Sequence, residues 1–163
     1  MNQLAAQVGA ALHAQGMMLA TAESCTGGGV ATAVTEIAGS SAWFDRGFVT
    51  YSNQAKIDML GVSSDVLVRF GAVSEATVRE MVAGALKRSE AQIALAVSGI
   101  AGPGGGTPEK PVGTVWFAWG LKDGEIVTRL HQLEGSRKDI REQAVRIALQ
   151  GAIELLDNRA ETV

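Results

Sequence analysis

Apolar residues recur along this chain at helical and strand spacings that alternate. Leu4, Val8, Ala11 and Leu12 fall at i, i+4, i+7 and i+8, one stripe of an N-terminal helix that Gly16 stops. Met17 to Ala22 is a short apolar run and predicts a buried strand. Glu23-Ser-Cys-Thr-Gly-Gly-Gly29 then turns the chain into a second helix reaching about Ala38, ended by Gly39-Ser-Ser41. Gly47 to Ser52 reads as a second strand, after which Asn53 is placed to cap a short helix holding Lys56 and Leu60 and closed by Gly61. Ser63 to Phe70 predicts another short helix. Ser74 starts a clearer one, with Val78, Met81, Val82, Ala85 and Leu86 on a single apolar face. The continuous run Ile93 to Val97 is typical of a strand covered on both faces. Val112 to Gly120 and Glu125 to Glu134 read as strands joined through Lys122-Asp123-Gly124, a hairpin signal. Ser136-x-x-Asp139 resembles a capping box opening a long last helix, with Ile140, Ala144, Ile147, Ala148, Gly151 and Leu155 inward.

Helix, strand, helix, strand, helices, strand, hairpin, helix: this order implies an α/β sandwich around a mostly parallel sheet, made mixed by the hairpin. No repeat or linker interrupts the 163 residues, so residues 1–163 are expected to form one domain. The formal net charge is −3 and no long basic run occurs, which argues against a general nucleic-acid binder. Cys25 is the sole cysteine, which excludes an internal disulfide and a cysteine-rich metal framework. The first helix lacks the basic and apolar regions of a signal peptide, and no apolar run reaches the ~20 residues of a membrane span. A cytoplasmic location without membrane partners is expected.

In open α/β sheets, ligands bind beyond the carboxyl ends of the strands. Polar turns follow three predicted strands: Ala22-Glu-Ser-Cys-Thr-Gly-Gly28, Tyr51-Ser-Asn53 and Ser98-Gly-Ile-Ala-Gly-Pro-Gly104. Each also has a plainer explanation. Gly27 and Gly28 serve close helix–sheet packing, and Ser24 and Thr26 serve as helix caps. The third turn, continuing to Thr107, holds five glycines and favours a binding loop. It is neither a Walker A loop nor a dinucleotide fingerprint. The only histidines, His13 and His131, sit on predicted surfaces, so a Ser-His-Asp triad and a histidine-rich zinc site are both disfavoured. Nucleophilic chemistry then needs a serine with a lysine or tyrosine base, and Lys56 and Tyr51 are the candidates. Either must be brought down from a pKa near ~10, which burial or a neighbouring cation does for lysine. A solvated helix lysine is the alternative for Lys56.

Taken in order, Thr21-Ala-Glu-Ser-Cys-Thr-Gly-Gly28, Ala38-Gly-Ser-Ser41, Val49-Thr-Tyr-Ser-Asn53 with Lys56, Gly71-Ala-Val-Ser-Glu75, Ser98-Gly-Ile-Ala-Gly-Pro-Gly104 and Lys110-Pro-Val-Gly-Thr114 resemble the CinA C-terminal domain family over nearly the whole chain. The resemblance implies a three-layer α/β/α sandwich and a homo-oligomer. It further implies an enzyme that hydrolyses the carboxamide of nicotinamide mononucleotide to nicotinate mononucleotide and ammonia in pyridine nucleotide salvage, with no metal and no cofactor. The alternative from a different class is a non-catalytic nucleotide-binding or interaction module. Some members carry an additional N-terminal domain resembling molybdopterin-binding proteins, and none is expected here.

On this reading Ser41 is the favoured nucleophile, with Ser24 next. Tyr51 and Lys56 form the proton relay. Thr26, Ser98 and the N–H groups of the glycine turns bind the oxyanion or the carboxamide. Gly27, Gly28, Asn53, Gly99, Gly102 and Gly104 are expected to line the nucleotide site. Arg137 and Arg141, one turn apart, are expected to grip the 5′-phosphate, the alternative being an exposed pair facing Asp139 and Glu142. Trp116, Phe117 and Trp119 are expected in the core rather than as a platform for the nicotinamide ring.

Overall fold

The computed structural model describes residues 1–162. The helices are α1 (Asn2–Ala14), α2 (Gly29–Thr35), α3 (Asn53–Leu60), α4 (Ser64–Phe70), α5 (Glu75–Lys87) and α6 (Arg137–Thr162). The strands are β1 (Leu19–Glu23), β2 (Phe44–Val49), β3 (Ile93–Gly99), β4 (Thr114–Leu121) and β5 (Ile126–Gln132). They form one sheet in the order β2-β1-β3-β4-β5. β1 pairs in parallel with β2 and β3, and β4 runs antiparallel to both β3 and β5. The sheet is therefore mixed, with β4 alone reversed. No helix among the described residues is long and apolar enough to cross a membrane.

Side-chain alternation explains the layers. Leu19 on β1 and Ile93, Leu95 and Val97 on β3 point to one face, where Val8, Leu12, Val30, Ile140, Leu149 and Leu156 of α1, α2 and α6 cover them. Ala20 and Ala22 on β1 and Ala94 and Ala96 on β3 point to the other, against Leu60, Leu67, Val78, Met81 and Val82 of α3, α4 and α5. The alanines pair as Ala20↔Ala94 and Ala22↔Ala96, so a flat, small-residue surface receives α5 closely. Continued by one alternation, each strand presents a serine on that same face: Ser24 after β1 and Ser98 at the end of β3. Phe117 and Trp119 are buried and stack at 5.8 Å, as expected of core aromatics.

Several boundaries differ from the sequence reading by a few residues, and three of these differences bear on the site. β2 begins at Phe44 rather than Gly47, because Phe44 already pairs with Leu19 despite the polar Asp45 and Arg46 that follow it on this edge strand. α2 ends at Thr35 rather than near Ala38, and Ser40–Ala42 form a single 3₁₀ turn. Ser52, not Asn53, caps α3, its hydroxyl accepting from Ala55 N at 3.0 Å. Gly61 closes α3 at φ 68°, and Ser74 caps α5 as expected. The capping box of α6 is complete, with Ser136 N donating to Asp139 Oδ2 at 2.9 Å and Asp139 N to Ser136 Oγ at 3.2 Å.

Candidate active site

Beyond the carboxyl ends of β1 and β3 lies a cleft of about 300 Å³. Its floor is Ser24, Cys25, Lys56 and Ser98; its walls are Ala72 and Val73 in the loop between α4 and α5 and, after β3, Gly99 to Gly102 with Gly104 and Gly105; Tyr51 and Arg137 stand at the rim. No carboxylate belongs to this lining, so its formal charges, on Lys56 and Arg137, are positive.

Lys56 decides the chemistry. It lies in the first half of α3 and is only 1 % exposed. On the same face of α3, one turn on, Leu60 is also buried, and α5 packs so closely there that a Cβ on Gly84 would collide with Leu60 O. The Lys56 amine is 2.7 Å from Thr50 O, to which it donates, and 3.0 Å from Ser24 Oγ. Neither partner is charged. Burial therefore pulls the Lys56 pKa down from 10.5 to about 8. Ser24 lies at a strand end with 8 % exposure, enough to open on the cleft. Its amide donates to Val97 O at 3.0 Å, extending the β1–β3 pairing by one step.

Around Ser24 the turn is tied on two sides. Arg141 Nε donates to Cys25 O at 3.0 Å and its terminal nitrogen to Thr26 O at 3.3 Å. Gly27 and Gly28 take φ of 58° and 99°, left-handed values that favour glycine, and so allow the reversal into α2. Cys25 borders the cleft, but its thiol packs into the core, and burial, aided by the nearby Glu23 carboxylate, pushes its pKa up to about 11. It stays a thiol near neutrality and does not compete with Ser24 as nucleophile.

The structure sorts the expected site residues. Ser24, Lys56, Tyr51, Ser98, Gly99, Gly102, Gly104 and Arg137 meet in one cleft. Ser41 does not. It is exposed in the 3₁₀ turn before β2, which starts beside Leu19 at the amino end of β1. About five residues of strand, roughly 16 Å, separate that level of the sheet from Ser24. Of the two serines expected as nucleophile, Ser24 lines this cleft and Ser41 does not. Thr26 loses its expected role as a side-chain oxyanion donor, because its hydroxyl donates to Glu23 Oε1 at 2.5 Å. Ser98 likewise spends its proton on Ala72 O at 2.9 Å, which fixes the wall of the cleft. Asn53 is exposed at the start of α3, and Gly27 and Gly28 shape the turn; none of the three lines the cleft. Arg141 is engaged by the turn rather than free for a phosphate.

Arg137 donates to Gly102 O at 2.8 Å and to Tyr51 Oη at 3.0 Å, joining the glycine loop to the opposite rim. Tyr51 is 63 % exposed, which makes it a rim residue rather than a buried base. Sequence reasoning missed Cys25, Gly105, Ala72 and Val73 as lining and Glu23 as a structural hub. The available signal for Glu23 was a carboxylate directly closing a strand of otherwise apolar and small residues. Among the described residues no group of three or more His, Cys, Asp and Glu is arranged to hold a metal ion. A second concavity of about 430 Å³ between α1, α2 and α6 mixes Glu36 and Glu142 with Lys138 and Arg141 over an apolar base, and it lacks an activated nucleophile.

A mixed α/β sheet with a serine–lysine pair at its strand ends defines a hydrolase-like site, and comparison with known proteins places it further. Residues 1–156 match the CinA C-terminal domain model, and the chain belongs to that family. It is 58% identical over 148 residues to the nicotinamide-nucleotide amidohydrolase PncC of Escherichia coli K12, covering 91% of this chain and 90% of that protein. To the PncC of Enterobacter agglomerans it is 55% identical, over 94% of this chain and 93% of the relative. Among solved structures, a competence/damage-inducible protein from Agrobacterium tumefaciens superimposes with a TM-score of 0.92 at 51% identity, covering 94% of both chains.

Proposed function

We propose that this chain hydrolyses the carboxamide of nicotinamide mononucleotide, releasing ammonia, with Ser24 as nucleophile and Lys56 as proton shuttle. The observation that carries this reading is the buried Lys56 amine 3.0 Å from Ser24 Oγ at the floor of the cleft. The amidohydrolase names of relatives that match over nine-tenths of both chains point the same way.

The steps follow from the groups. Neutral Lys56 accepts the Ser24 hydroxyl proton as Oγ bonds to the carboxamide carbon. Lys56 then returns that proton to the departing nitrogen, the C–N bond breaks, and ammonia leaves an acyl ester on Ser24. Water attacks the ester, giving one proton to Lys56, which passes it to Ser24 Oγ as the ester C–O bond breaks; the carboxylic acid product then loses its remaining proton to ammonia or solvent and leaves as the carboxylate. With the Thr26 and Ser98 hydroxyls engaged, stabilisation of the oxyanion falls to main-chain N–H groups of the turns that follow β1 and β3. The positive rim, with Arg137 at its outer end, suits the 5′-phosphate. The proposal needs neither metal nor cofactor.

We also propose one domain over residues 1–163, a cytoplasmic location, and a homo-oligomer. Exposed Tyr51, Val68 and Phe70 are consistent with subunit contact. Intact-mass measurement during turnover of nicotinamide mononucleotide in EDTA tests the chemistry. Ammonia release with a nucleotide acyl adduct on the Ser24 peptide is expected. Tight binding without ammonia release would return the chain to a non-catalytic nucleotide-binding module.

A further inference from the structure

We propose that Glu23 is the positioning residue of this site, aligning both halves of the Ser24–Lys56 pair; this rests on the reading of that pair as the catalytic dyad. Glu23 is fully buried. One carboxylate oxygen accepts from Thr26 Oγ1 and from Val30 N at 2.8 Å, and the other accepts from Ala31 N at 3.1 Å. The two amides can only donate, so both oxygens must accept. All three donors follow Glu23 within eight residues, and the carboxylate thus clasps the turn that contains Ser24.

The main chain of the same residue reaches the other half. Thr50 N donates to Glu23 O at 2.8 Å, and Thr50 O is the acceptor that holds the Lys56 amine. From β1, then, one residue fixes the nucleophile through its side chain and the lysine's anchor through its carbonyl. The carbonyl contact continues the β1–β2 ladder, and what the glutamate side chain adds is the clasp of the Ser24 turn. An ordinary cap comes from the residue preceding the helix, whereas that position here is Gly28 at φ 99°, and the acceptor is supplied from the strand end instead. Burying a carboxylate without a cationic partner is costly and is tolerated when its oxygens are fully bonded to donors. Here that cost falls on the residue adjoining the nucleophile.

The test uses Glu23→Gln, which keeps the shape and loses one acceptor, and Thr26→Val, which removes one donor at constant volume. Ile93→Val, at the far end of β3, is the control for lost stability alone. Three quantities are read: kcat and KM with nicotinamide mononucleotide, the urea midpoint, and the rate at which phenylmethanesulfonyl fluoride labels Ser24. Glu23→Gln is expected to lower kcat and labelling by ~10–100-fold with KM within about threefold, and Thr26→Val by less. Ile93→Val is expected to shift the midpoint and leave kcat unchanged. A folded Glu23→Gln protein with wild-type kcat and labelling overturns the proposal, and Thr26→Val with wild-type values does so if Glu23→Gln fails to fold. Wild-type protein that labels at Ser24 but releases no ammonia removes the deamidation reading, while the labelling rates still decide Glu23. Wild-type protein that does neither removes the dyad and this role together.

Discussion

An amine buried without a counterion is poised to lose its proton, and Lys56 is in that position. With a pKa of about 8, roughly a tenth of the protein at pH 7 carries the neutral base. The rate constant kcat/KM is therefore expected to rise about tenfold per pH unit below 8 and to level off above it. Lys56→Arg keeps the charge at every such pH and should cost ~10²–10⁴ in rate. Stability carries the opposite imprint of the same burial. The folded state releases the Lys56 proton more readily than the unfolded chain does, so this residue destabilises the fold below about pH 8, and the penalty fades as pH rises toward 10.5. Lys56→Met should accordingly raise the urea midpoint at pH 7 while abolishing activity; a lowered midpoint would contradict the burial argument. From the residue alone, a solvated helix lysine is the stronger reading of Lys56. Its burial follows from how α3 sits over the ends of β1 and β2, where the amine meets Ser24 and Thr50, a tertiary fact with no local signature.

At the level of elements, the start of α6 divides labour between two arginines that the sequence treated as a pair. Arg141 points inward and grips the carbonyls of Cys25 and Thr26, whereas Arg137 faces the cleft rim. Arg137→Ala is expected to raise KM for nicotinamide mononucleotide about tenfold or more and to leave turnover of the phosphate-free nucleoside nearly unchanged. Arg141→Ala is expected to lower kcat for both substrates. Steady-state kinetics with the two substrates checks this, and a phosphate-dependent effect of Arg141→Ala would reverse the assignment. Helical spacing put the arginines on neighbouring turns but could not say which one the Ser24 turn would occupy. The elements themselves were legible where periodicity was strong, as in α5 and α6 with their Ser74 and Ser136 caps. β2 was misplaced because Asp45 and Arg46 break its apolar run at an exposed sheet edge.

For the whole molecule, the order β2-β1-β3-β4-β5 fixes what can meet what. β1 and β3 are adjacent and parallel, so the serines that follow their alanine faces emerge side by side, and the turn after neighbouring β2 brings Thr50 and then α3 with Lys56 over the same edge. The alternation of helix and strand made this edge predictable. The chain order already puts Ala38-Gly-Ser-Ser41 before β2; that it lies at the opposite edge follows only from β2 running parallel to β1. That placement turns on the direction of one strand, and it is why the proposed nucleophile is Ser24 and not Ser41. The most direct measurement is ammonia release from saturating nicotinamide mononucleotide by Ser24→Ala, with Ser41→Ala in parallel. The account predicts a fall of about 10³-fold or more for Ser24→Ala and less than about tenfold for Ser41→Ala; folded Ser24→Ala protein working near the wild-type rate would contradict it.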